Sequence, residues 1–100
     1  MLGSFHLAID YRVAYLRFLL NLLYEKYHVN LTQLSKDAGF RPSFIHDLKS
    51  KRKGIGFERA TELELFLNDL YGAIIEDEVP KDPQEFLEFV NELLKQDNLM

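Results

Sequence analysis

Four basic residues stand close together at Lys49, Lys51, Arg52 and Lys53, just after a stretch that opens with Pro42. Ammonium and guanidinium groups at this density form a patch that attracts phosphate oxygens. Other residues capable of chemistry are sparse. His6, His28 and His46 are far apart and lack metal-ligand spacing. There is no cysteine, hence no thiolate metal site and no disulfide framework. Glu76, Asp77 and Glu78 are consecutive, and consecutive carboxylates do not converge on one ion, so a solvated acidic turn is the expected reading. No phosphate-cradling glycine loop and no nucleophile motif occurs, so neither an enzyme nor a cofactor is predicted.

The basic cluster is distributed against the overall charge. The 100 residues carry a formal charge of −4. Residues 1–56 hold nine basic and four acidic groups, a balance of +5, whereas residues 57–100 hold three basic and twelve acidic groups, a balance of −9. One half can meet phosphate while the other faces away. Apolar residues make up 47%, enough for the core of one domain.

Helices must position these groups. Asn30 is a good N-cap, and Gln33 three residues later can close a capping box. Leu31, Leu34 and Ala38 fall on one face, and Gly39 supplies the left-handed stop. Pro42 fits the first turn of the next helix, predicted over 42–52. Ile45 and Leu48 point inward, as does Phe40 from the turn, leaving Ser43, His46, Asp47 and Ser50 outward.

The segment 31–53, LTQLSKDAGFRPSFIHDLKSKRK, resembles the helix-turn-helix of the lambda-repressor and Cro type. Leu34, Ser35, Gly39, Phe40 and Ile45 match the family's packing signature, with Leu48 as the next core position. Residues 56–72, GFERATELELFLNDLYG, look like its fourth helix, and the likeness covers roughly 14–72. The family often carries a polar reader where Pro42 stands, and usually a small residue, often glycine, where Lys51 stands.

The resemblance implies an all-α, lambda-repressor-like domain of five helices, with an extended first helix and an added last one. It implies a transcriptional regulator that reads duplex DNA in the major groove. Ser43, Phe44, His46 and Asp47 would face base edges. Thr32, Gln33, Arg41, Lys49, Lys51, Arg52 and Lys53 would face phosphates. The alternative is a protein-interaction module, an antitoxin or anti-repressor-like partner contacting through an acidic last helix.

The remaining elements follow from periodicity. Helix one is expected over Phe5–Tyr27, with Leu7, Ala8, Tyr11, Tyr15, Leu19, Leu22 and Leu23 on one face and Ile9, Val13, Leu16, Leu20 and Tyr24 widening it. Its uncharged run, Phe18–Tyr24, is too short for a spanning helix, so a cytoplasmic protein without a signal peptide or membrane partner is expected. Helix four should turn Phe57, Ala60, Leu63, Leu67 and Leu70 inward. Ile74 and Ile75 read as a short extended segment. Asp82 caps helix five, with Pro83 at its first position and Glu85 completing the capping box. The wide apolar faces of helices one and five can be buried in two ways, by packing on each other within one chain or by pairing across a two-fold axis. The second is favoured, because a reader of one short half-site gains by dimerising, with Phe86, Phe89, Val90 and Leu93 at a homodimer interface.

Overall fold

The computed structural model describes residues 4–99, with side chains from Ile9 to Asp97. The expected roles of His6, Leu7 and Ala8 therefore lie outside the described side chains. Five helices follow one another: α1 (Ser4–Glu25), α2 (Leu31–Asp37), α3 (Phe44–Lys49), α4 (Phe57–Glu78) and α5 (Pro83–Leu99). Among the described residues there is no strand, and no helix is long and apolar enough to cross a membrane.

The wide apolar stripe of α1 is used on several sides at once. Leu16, Leu19, Leu20 and Leu23 are fully buried, and α1 touches α3, α4 and α5. Buried residues from all five helices join one cluster. On the α4 side Arg12 Nη1 donates to Glu64 Oε1 at 2.7 Å. Burial pushes the Glu64 carboxyl above its usual range, against the pull of Arg12. Burial, with Glu64 nearby, also pushes the Tyr15 phenol up to about 12.

Three expectations about α4 need correction. The helix does not stop at Gly72, and Ile74 and Ile75 are helical rather than extended. Leu63, Leu67, Tyr71, Ile75 and Val79 continue an i, i+4 stripe straight through the glycine, and four of the five are buried. Burying Ile75 and Val79 outweighs the roughly 1 kcal/mol that a mid-helix glycine costs. The disturbance survives as a kink at Tyr71, where φ is −125° and ψ is 26°. Phe57 and Leu70, expected inward, are about half exposed. Leu70 flanks the buried stripe, and Phe57 stands at the first helical position beneath the Arg12 guanidinium, 5.3 Å from the ring centroid.

Helix α5 starts at Pro83 with Asp82 as its cap, as expected, but only the Asp82 half of the capping box is formed. Asp82 Oδ2 accepts from the backbone N–H groups of Gln84 and Glu85, both at 3.1 Å. Its apolar face packs in part on the chain's own core. Phe86 meets Tyr15 edge-on at 5.4 Å between centroids, Phe89 meets Phe18 at 5.1 Å, Val90 is buried, and Leu93 packs on the same core. The four residues assigned to a dimer interface thus cover α1 of their own chain. Phe86, Phe89 and Leu93 stay partly exposed, and Leu87 beside them is half exposed.

Candidate nucleic-acid interface

The α2–α3 unit is fixed by its two helix ends. Asn30 Oδ1 accepts from Gln33 N–H at 2.9 Å and caps α2. The reciprocal half of the capping box is not formed, because the Gln33 amide donates to Asp37 instead. At the other end Gly39 takes φ +86°. Gly39 N–H reaches Lys36 O at 3.0 Å and Phe40 N–H reaches Ser35 O at 2.8 Å, the paired bonds of a Schellman cap.

Helix α3 ends in the same motif. Lys51 N–H donates to Leu48 O at 3.2 Å and Arg52 N–H to Asp47 O at 2.9 Å. The left-handed residue here is Lys51, at φ 70°. This is the position where the resembling family usually carries a small residue, and the geometry supplies the reason. The early cap also makes α3 shorter than expected, six residues in place of the predicted 42–52. Pro42 and Ser43 lie in the turn before it, closed by Phe44 N–H on Arg41 O at 3.0 Å.

One buried hydroxyl joins the two helices. Ser35 is completely buried, donates to Leu31 O at 2.9 Å, and accepts from Ile45 N–H at 3.1 Å. Its small size lets α3 approach, and its oxygen satisfies one of the amide groups that the start of α3 would otherwise leave unpaired. Leu31, Leu34, Ile45 and Leu48 pack inward around it.

The outward residues divide into free and engaged groups. Ser43, Arg41, Thr32 and Lys53 are exposed. Phe44 does not project freely but stacks on Phe40, with centroids 4.5 Å apart and planes 11° from parallel, and the Arg59 guanidinium covers the other partner at 4.3 Å. His46 is half-buried edge-on against Tyr24, and Lys49 lies over the same Tyr24 ring at 4.9 Å. Beside them opens a cleft of about 480 Å³ between Tyr24, His28, Asn30 and His46.

Asp47 and Lys51 are engaged within the chain as well. The Asp47 carboxylate receives Arg52 Nε at 3.1 Å, so it orients a cation rather than standing open. Lys51 turns away from solvent, with its ammonium 3.4 Å from Asp97 Oδ1 and bonded to the Asp97 carbonyl. Sequence reasoning missed Arg17 altogether. Its Nε donates to Leu48 O at 2.8 Å and its Nη2 to Lys53 O at 3.4 Å, so α1 holds the end of α3 from beneath. A positive charge on the apolar stripe of α1 was the available signal.

The arrangement can present the exposed hydroxyls of Thr32 and Ser43, a half-exposed imidazole and a rim of cations to a polyanion. Among the described residues no cluster of His, Asp or Glu is placed to hold a metal ion. The chain matches no protein-family model, no curated protein and no solved structure.

Proposed function

We propose that this chain is a sequence-specific transcriptional regulator of the lambda-repressor/Cro-like type, reading duplex DNA in the major groove with α3. The observation that carries the reading is the α2–α3 unit itself: two short helices held through Ser35 and closed by paired Schellman caps, with Arg41, Lys49, Arg52 and Lys53 gathered about the second. Ser43 and His46 meet base edges, and the cations meet flanking phosphates. Phe44 and Asp47 support neighbouring side chains in this reading rather than touching bases.

The test is selection of bound sequences from random duplexes, followed by salt titration. Ser43→Ala should relax preference at one or two positions by about 1–3 kcal/mol while leaving random-duplex affinity nearly unchanged. Equal losses on selected and random DNA would remove Ser43 from base readout.

A second reading, a protein-interaction module working through α5, is favoured by one feature. Leu87 is exposed among the exposed acids Glu85 and Glu88. Recovery of a specific protein partner that Leu87→Asp abolishes, with no duplex selected, would favour it.

A further inference from the structure

The far end of α5 reaches the turn that follows α3, and one carboxylate makes the junction. Asp97 Oδ2 accepts from Arg17 Nη1 at 2.9 Å, and Asp97 Oδ1 lies 3.4 Å from Lys51 Nζ. The Arg17, Asp97 and Lys51 side chains are 14%, 18% and 29% exposed, far less than the Arg52 side chain at 66%. Arg17 continues the connection to the backbone carbonyls of Leu48 and Lys53 on either side of the turn. A residue of the acidic half thus enters the basic site, although the charge division of the sequence sets the two apart.

We propose that Asp97 is an electrostatic latch on the DNA-facing turn. It withholds the Lys51 cation from phosphate and, through Arg17, positions the 50–53 turn so that Arg52 and Lys53 project. This rests on the DNA-binding reading. One anion between two cations forms a mostly dry unit in which a single positive charge is offset, and the charge so offset releases no counterion when a duplex arrives. Asp97 and Arg17 are positioning residues; neither contacts the nucleic acid. Their consequence is a weaker, less salt-sensitive grip on random DNA than the basic cluster alone would give. A reader of sequence gains from that, because non-specific affinity competes with its operator.

The experiment is a salt titration of binding to a short random-sequence duplex, using the full chain and its K51A, D97N and D97N/K51A variants. Each log–log slope is compared with wild type, and folding of each variant is checked by circular dichroism and urea denaturation. K51A should leave the slope unchanged. D97N should steepen it by roughly 0.9, the value of one added phosphate contact, and the double variant should return to the wild-type slope. A K51A slope shallower by that amount would place Lys51 on phosphate already and overturn the latch. So would a folded D97N whose slope does not move. If D97N fails to fold, K51A decides alone. Failure of the DNA reading shows differently: the wild-type chain binds no duplex at any salt, before any variant is compared, and the latch falls with it.

Discussion

At the residue scale, Gly39 stands out for its conformation and Ser35 for a buried contact. Gly39 sits at φ +86° with open space where a Cβ would point, so the cost of a side chain there is purely a backbone cost. Gly39→Ala should destabilise the domain by about 1–2 kcal/mol, read as a lower urea midpoint at constant slope. An unchanged midpoint would mean the turn can relax into another cap. Ser35 carries a different penalty. Ser35→Ala keeps the volume but strands the Ile45 N–H in the core, at about 1–3 kcal/mol. Ser35→Gly should cost at least as much, since it restores no acceptor and loosens α2. If Ser35→Ala were neutral, a water would have to replace the hydroxyl oxygen. The stop at Gly39 was legible in the sequence because glycine is the usual residue there. The equivalent stop at Lys51 was not, because lysine gives no local sign that it will adopt φ 70°.

At the scale of elements, legibility followed the strength of periodicity. The start of α5 at Pro83 and the α2 cap at Asn30 were readable from short-range chemistry. The continuation of α4 was not, because Tyr71-Gly72 looks like a stop unless Ile75 and Val79 are seen to extend the stripe that Leu63 begins. The partner of α5 was not readable either, since an apolar face does not say whether its own chain or another will cover it. Val90→Asp now separates those outcomes. Val90 is buried against the chain's own core, so the variant should unfold by circular dichroism at room temperature. A folded Val90→Asp protein that sediments at half the wild-type mass would instead return Val90 to a subunit interface. The ends of α1 and α4 are joined by a polar contact with a pH signature. Glu78 Oε2 accepts from Lys26 Nζ at 2.5 Å and from Tyr27 Oη at 2.9 Å. The Lys26 bond, then the Tyr27 bond, holds the Glu78 carboxyl below its ordinary value, and the same bond raises Lys26. A depressed carboxylate contributes stability above its unfolded value, near pH 4.3, and loses it as pH falls through the folded one. Glu78→Gln should therefore lower stability at neutral pH and flatten the decline from about pH 5 downward. An acid limb identical to wild type would show that solvent screens this contact completely.

At the scale of the whole molecule, on the proposed DNA-binding reading, the division of charge sets a competition between attraction at α3 and repulsion from the acidic half, and screening decides which range matters. The principal extents are 34, 26 and 24 Å. The Debye length is about 10 Å at 0.1 M salt and about 30 Å at 0.01 M. At the higher salt a charge on the outer face of α5 is nearly invisible to a duplex docked at α3; at the lower salt its field spans the molecule. Glu85, Glu88 and Glu92 are exposed, outside the α1 contact, so they can be neutralised without touching the core. The triple Gln variant should associate several-fold faster with a duplex at about 0.01 M salt and no faster at about 0.15 M, measured by stopped-flow fluorescence. Dissociation should change little at either salt, because no contact is lost or gained. A rate increase of equal size at both salts would show that these carboxylates lie within a few ångströms of the bound duplex. In that case α5 would be part of the interface, and the orientation that places α3 in the groove with the acidic helix turned away would be wrong.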